Sequence, residues 1–350
     1  MRLPKPLTLE EVRSHIPTIS RISSENNRPL WSVMIATYNS GRYLRDALES
    51  VLAQDRSPEE MQIELIDGGS TQDDPEPLVR ELGKGRVAFH RLVQNRGPAE
   101  TFNTCIARAR GHWIHILHGD DLVCPGFYDS YTALMRAYPH ANMIVGQTII
   151  IDENLCWRGL HGPIPPPGGG PLPDLMERLV TCQRVQFPGV VVRRSAYEAV
   201  GGYCALFRHA CDWEMFFRVA RSGSVVCAGR PYAFYRRHGE SETSRQVIMA
   251  EDIRETYLVA LLNLATFGDE PAVAEVGTWR EGLANRAEAT AWLLDSKACL
   301  IGRLNQARWA WTLDPTPRRL YMLGASWLKY WLAAACPGGR RGMDASGSLS

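Results

Sequence analysis

The 350-residue chain has no window of about 20 apolar residues, so no segment reads as a membrane-spanning helix. It also lacks an excess of one charge. Its 39 Lys and Arg stand against 38 Asp and Glu, which removes the basic footprint of a general nucleic-acid binder. None of the nine cysteines forms a CxxC pair, and around Cys204 and Cys211 nothing completes a zinc set. Buried thiols in a reducing compartment are the expected state. No GxGxxG follows the first strand, which argues against a nicotinamide dehydrogenase. The start, Met1-Arg2-Leu3-Pro4-Lys5-Pro6, has no signal-peptide core, so the expected location is the cytoplasm.

What the chain does have is alternation. Trp31 to Ala36 reads as a strand, and Tyr43, Leu44, Ala47, Leu48, Val51 and Leu52 follow at helical spacing. Further strands are expected at Gln62 to Ile66, Val87 to Leu92 and Trp113 to Leu117, with a helix from Ala99 to Arg110. The pattern predicts an α/β fold, a doubly wound and mostly parallel sheet with flanking helices. Polar groups gather where the strands end: Thr37-Tyr38-Asn39, Asp67 and Asp120-Asp121. Farther on, Asn142 to Ile151 reads as a β-rich run. Pro163 to Pro173 reads as a flexible loop, either a lid or a surface connector. Phe187 to Val192 reads as a strand, with Ser195 capping a short helix through Val200. A helix is expected from Asp212 to Arg221, and nearly continuous helix after Glu251. The domain reading is an extension at 1–30, a catalytic domain at 31–248 divided at 123/124, a helical region at 249–337 and a tail without structure at 338–350.

The acidic pair carries the most information. In Trp113-Ile114-His115-Ile116-Leu117-His118-Gly119-Asp120-Asp121, two carboxylates emerge side by side where a buried strand stops. Adjacent carboxylates repel unless a cation or a hydroxyl-rich ligand neutralises them. Taken alone, a polar turn with Asp121 capping the next helix is the better account of them, because Asp is a common turn and cap residue.

Taken together, the pieces from Trp31 to Ser244 resemble family 2 glycosyltransferases of the GT-A fold. Ser32 to Asn39 resembles the first strand and nucleotide turn of that family. Ile66-Asp67-Gly68-Gly69-Ser70-Thr71 resembles its second nucleotide motif. Asn95-Arg96-Gly97-Pro98, Asn103 and Ala109-Arg110-Gly111 resemble the segment before its metal motif, where Gly119-Asp120-Asp121 stands here. The resemblance implies a nucleotide-sugar donor bound by Thr37, Tyr38, Asn39, Asp67, Asn95, Arg96 and Asp120, with Asp67 accepting from the base. It implies a divalent metal, Mn2+ or Mg2+, held by Asp121, Asp120 and His238. His209-Ala210-Cys211-Asp212-Trp213-Glu214 resembles the catalytic motif, making Asp212 the general base of an inverting transfer and Glu214 the reserve; a plain helix start is the alternative. Arg236 or Arg237 is expected to neutralise phosphate charge. Two positions depart from the pattern: His118 and Gly68 stand where many members carry aspartate.

No Gln-x-x-Arg-Trp is present, so a single transfer is expected rather than processive synthesis. The expected acceptor is a glycan or lipid-linked saccharide of bacterial surface polysaccharide or glycolipid synthesis, with no nucleic acid as partner. Leu320 to Ala335, rich in Trp and Tyr beside Arg318, Arg319 and Lys329, reads as a helix packed in its own core or at a homodimer interface. Peripheral contact with the inner face of the membrane is the second reading. The rival functions are a nucleotidyltransferase, weakened by the absence of a Gly-rich basic loop after the first strand, and a non-catalytic subunit with the same fold.

Overall fold

Strand β1 (Trp31–Thr37) is buried along its whole length, as is β2 (Met61–Asp67). Burial on both faces is what parallel strands show when helices cover each side. β1 pairs in parallel with β2 and with β4 (Trp113–His118), and β3 (Ala88–Arg91) extends the set beyond β2. The connections are α2 (Gly41–Leu52), α3 (Glu76–Gly83) and α4 (Pro98–Arg108). The chain thus winds outward from β1 to β3 and then crosses back to β4 on the other side of β1. Such a reversal leaves a crevice outside the carboxyl ends of the central strands, here Thr37 and His118.

The computed structural model describes residues 2–22, 28–239, 241–267, 271–296 and 299–335. The tail expected to lack structure, 338–350, lies outside them. The chain divides into two units, one formed by 10–179 with 183–237, the other by 1–9, 180–182 and 238–350.

The first unit continues through β5 (Leu122–Val123), α5 (Phe127–Ala137), β6 (Ala141–Val145), β7 (Thr148–Asp152), β8 (Trp157–His161), β9 (Gly169–Pro171) and α6 (Leu175–Leu179). It ends with β10 (Val190–Arg193), α7 (Arg194–Val200), α8 (Cys211–Ser222), β11 (Ser224–Ala228) and β12 (Ala233–Arg237). One sheet has the order β3-β2-β1-β4-β10-β6-β11-β9, the other β5-β12-β7-β8. A short helix, α1 (Leu9–Arg13), begins the N-terminal segment, which packs on the first unit through buried Val12 and Ile19. Gly202 N–H donates to Pro17 O at 2.8 Å.

The run 142–151 is β-rich as expected and forms two strands, breaking at Gly146-Gln147, with β6 in the large sheet and β7 in the small one. Two expectations are corrected. The Pro/Gly-rich stretch is only partly loop, because 169–171 pairs antiparallel with β11 as an edge strand. Ser195 is not a cap but lies inside α7, whose first flanking residue is Arg193.

Gly111 shows how tightly α4 returns to the sheet. A Cβ there would stand 2.5 Å from Ser32 N and from the Trp31 carbonyl carbon, both backbone atoms that cannot move aside. Gly111→Ala is expected to cost about 1–3 kcal/mol of stability while leaving nucleotide affinity unchanged, since Gly111 lies at the opposite end of β1 from Thr37. Denaturant titration and ligand titration of the same variant check both halves.

The second unit is helical: α9 (Glu242–Met249), α10 (Glu251–Phe267), α11 (Pro271–Ser296), α12 (Leu300–Leu313) and α13 (Pro317–Ala335). Its core includes Tyr257, Leu258 and Val259 from α10, Ala284 and Ala287 from α11, and Ala307, Ala310 and Leu313 from α12.

Candidate active site

The end of β2 meets the turn after β1 through a fixed set of hydrogen bonds. Asp67 is fully buried. Its Oδ1 accepts from Ser70 N–H and hydroxyl at 2.9 and 2.7 Å, and its Oδ2 accepts from Arg91 Nε at 2.7 Å. Arg91 stands in register with Asp67 on β3 and also pairs with Asp74. Asn39 holds the same loop from the other side. Its N–H donates to Ser70 Oγ at 2.9 Å, and its Oδ1 accepts from the N–H groups of Thr71 and Gln72 at 2.9 and 3.0 Å. It adopts φ 50°, a left-handed turn that asparagine tolerates better than most residues. Tyr38 lies beside it, and Thr37 is buried. The start of α2 is anchored in turn by Gly41 N–H donating to Asp73 Oδ2 at 2.6 Å. At Gly68 a Cβ would meet Thr101 Oγ1 of α4 at 2.9 Å and the Thr37 carbonyl oxygen at 3.3 Å, so a side chain there would require Thr101 to shift.

Across the crevice, β4 delivers His118, Asp120 and Asp121. One ligand atom from each lies within 4.8 Å of the other two. Asp121 is buried; its Oδ1 accepts from Arg236 N–H at 2.9 Å, and its Oδ2 lies 3.5 Å from His118 Nδ1. Among the described residues, Asp121 Oδ2 and His118 Nε2 are buried polar atoms with no hydrogen-bond partner. Burial pushes the Asp121 carboxyl up to about 6; the charge of Asp120 adds to this and His118 opposes it. Burial also works against a charged His118, but Asp121, Asp120 and Asp212 together raise it above its ordinary value. A buried carboxyl that resists ionisation, set beside a second carboxylate and a ring nitrogen, fits a cation, which would relieve it. The His118 ring is stacked on Phe102 at 5.4 Å and tilted on Phe187 at 4.4 Å, which fixes its plane.

Arg236 does not have the expected role. It is buried, donating from Nη2 to Asp46 Oδ2 at 2.7 Å and from Nε to the Asp120 carbonyl at 2.9 Å, with its guanidinium 4.7 Å from the Tyr43 ring centre. It therefore braces the acidic pair against α2. Arg237 is exposed.

Asp212 sits in the first turn of α8. Its Oδ1 accepts from Trp213 N–H at 2.7 Å and its Oδ2 from Gln183 Nε2 at 3.1 Å. Burial raises its carboxyl to about 6, with Trp213 N–H, the charge of His118 and Gln183 pulling the other way. The influence of His118 on Asp212 puts the two in one electrostatic neighbourhood. Glu214 is different: it is buried and both its oxygens are held by Arg218, at 2.5 and 2.8 Å. Arg218 also donates to the carbonyls of Val200 and Gly202, so this pair ties α8 to α7.

The remaining expected residues make local contacts of their own. Asn95 Oδ1 accepts from Gly97 N–H of its own loop at 2.9 Å. Arg96 is exposed, 3.7 Å from Glu100. His238 belongs to the helical unit, where its carbonyl accepts from Ser244 Oγ at 2.8 Å before α9. A separate cleft of about 550 Å³ lies at the opposite ends of β2 and β3, where Gln62, Glu64 and Arg108 satisfy one another.

Arg91, Gln183 and His118 as a member of the acidic cluster were not anticipated. The strand-end position of His118 was a usable signal, whereas Arg91 and Gln183 belong to no motif.

Comparison with known proteins bears on the family and the fold. The Glycosyl transferase family 2 profile matches residues 32–201. A PGL/p-HBAD biosynthesis glycosyltransferase of Mycobacterium bovis is 23% identical over 206 residues, covering 57% of this chain and 72% of the relative. Succinoglycan biosynthesis protein ExoO of Rhizobium meliloti is 38% identical over 92 residues, 26% of each chain. The crystal structure of S. aureus TarS 1-349 in complex with UDP-GlcNAc superposes with a TM-score of 0.52 at 15% identity, covering 86% of this chain and 91% of that one. At that identity the likeness is one of fold.

Proposed function

Residues 32–201 are a family 2 glycosyl transferase domain, which makes this chain a glycosyltransferase, and we propose that it inverts the sugar it transfers from a UDP-linked donor to a hydroxyl acceptor in bacterial surface-glycan synthesis. The observation that carries this reading is the placing of Asp212, with its raised carboxyl, in the electrostatic neighbourhood of His118 and the acidic pair.

In this reading the nucleotide lies over the turn formed by Thr37, Tyr38 and Asn39. Asp67 accepts from the base, since a carboxylate held by Ser70 and Arg91 still has lone pairs to offer. Asp120 and Asp121 hold a divalent cation, Mn2+ or Mg2+, and we assign its imidazole ligand to His118 rather than His238, because the His118 ring lies beside both carboxylates. When bound, such an ion neutralises the diphosphate charge that grows as the bond to the sugar breaks. Asp212 takes the proton from the acceptor hydroxyl as that oxygen attacks the anomeric carbon from the face opposite the diphosphate. Gln183 and Trp213 N–H hold the Asp212 carboxylate in place. Glu214, committed to Arg218, is left a structural part.

The donor assignment is tested by calorimetric titration with UDP, GDP and dTDP, each with and without Mn2+ or Mg2+. Metal-dependent binding of UDP in preference to the other two is the expected result. Binding of none of them by the folded protein would turn the reading toward a non-catalytic subunit.

A further inference from the structure

Helix α13 presents two chemically distinct faces. Arg319, Met322 and Ser326 are buried within the helical unit. There Arg319 donates to Glu288 and Asn285 of α11 at 3.3 and 2.5 Å, and Arg303 of α12 donates to Ser326 Oγ at 2.9 Å. The opposite face carries Leu320, Tyr321, Trp327, Leu328, Trp331 and Leu332, which are 51–77% exposed. These positions recur at helical spacing and make one continuous apolar stripe. A stripe of this kind on a protein surface marks a binding face.

We propose that α13 lies flat in the interface of an anionic lipid surface, with this stripe sunk into the boundary between headgroups and acyl chains. Three observations favour lipid. First, the residues are of the right kind: indole and phenol rings have an apolar body and a polar edge, which suits them to that boundary. Second, charge is complementary. α13 contains no acidic residue, and of the basic residues between Leu300 and Ala335, Arg308, Arg318 and Lys329 are exposed, whereas Arg303 and Arg319 are buried. At 100° per residue, Arg318 and Lys329 fall together at one border of the stripe. Their pairings with Glu288 at 2.7 Å and Asp295 at 3.0 Å are exposed on the basic side, a weak kind of ion pair that can yield to lipid phosphates. Third, among the described residues no helix is long and apolar enough to cross a bilayer, and a 19-residue helix of about 28 Å with a polar inner face is suited to lying on one. The inference concerns the helical unit alone and does not depend on the donor site.

The test is flotation of the full chain with phosphatidylcholine vesicles, with and without phosphatidylglycerol, beside the double variant Trp327→Glu/Trp331→Glu. Both residues are more than half exposed, so the variant is expected to keep its circular-dichroism melt and its UDP affinity. The wild-type chain should float with the anionic vesicles, with a blue shift of Trp emission, and the variant should lose at least about tenfold in partition. A wild-type chain that stays in the soluble fraction, or a variant that floats equally well, overturns the proposal. So does sedimentation showing a dimer that the variant dissociates, which would give the stripe to a second copy of the chain.

Discussion

Asp212→Asn is expected to lower the transfer rate by about 10²–10⁴-fold while leaving UDP affinity nearly intact, because a base acts on the acceptor proton in the transition state and not on the donor at rest. The same change should make the protein more stable. The folded environment raises the Asp212 carboxyl from 3.8 to about 6, so between those values the folded chain holds a proton that the unfolded chain releases. Stability therefore falls as pH rises through that window, and the cost is fully present above about pH 6. Removing the charge relieves it, by about 1–2 kcal/mol at pH 7 once partial exposure is allowed for. The gain should vanish near pH 4. Wild-type transfer, in turn, should decline as pH drops below about 6, where the base becomes protonated. Product formation, nucleotide titration and thermal melts at two pH values check these together. Donor affinity that collapses in the variant would make Asp212 a binding residue instead of the base.

Asp121→Asn should abolish the metal dependence. A cation that binds only the folded protein raises the melting temperature by mass action, so wild-type protein is expected to melt higher with Mn2+ and higher again with Mn2+ and UDP. The variant keeps the shape of the side chain and an acceptor for Arg236 N–H but loses the charge that His118 and Asp120 leave to it. Its melting temperature should not respond to Mn2+, and transfer should fall about 10³-fold, the rate equivalent of about 4 kcal/mol. A variant that still binds UDP in a metal-dependent way would move the ion to other ligands. Thermal shift and calorimetry on both proteins decide between these outcomes.

The parallel half was legible because its signals are local. β1, β2 and β4 are apolar runs that end in polar motifs, and the residues that matter stand at those ends, where a doubly wound sheet opens its crevice. Asp67 and Asp120-Asp121 could be read for that reason. Gln183 could not: its link to Asp212 joins residues 29 apart in a stretch without periodicity. Arg91 matters only through its register with Asp67 on the neighbouring strand, which no single segment encodes. The run 142–151 was legible as β-rich, but not its division between two sheets, because an apolar run carries no mark of which sheet it joins. The stripe of α13 reads from the sequence as core or a dimer interface, with membrane contact as the second reading, since aromatic residues at helical spacing are usually core. The spacing shows that a helix has an apolar face, not what that face meets.

The break at Gly146-Gln147 has a consequence for how such a protein can change over time. β6 is locked between β10 and β11, whereas β7 passes at once into a hairpin whose outer strand, β8, has no neighbour beyond it among the described residues. Residues inserted in or removed from the turn between β7 and β8 would be absorbed at that free margin. No strand carrying Thr37, Asp67 or His118 would have to shift its register. One half of the molecule is thereby free to drift in length and composition, while the half that carries the proposed nucleotide site stays bound by its hydrogen-bond ladder.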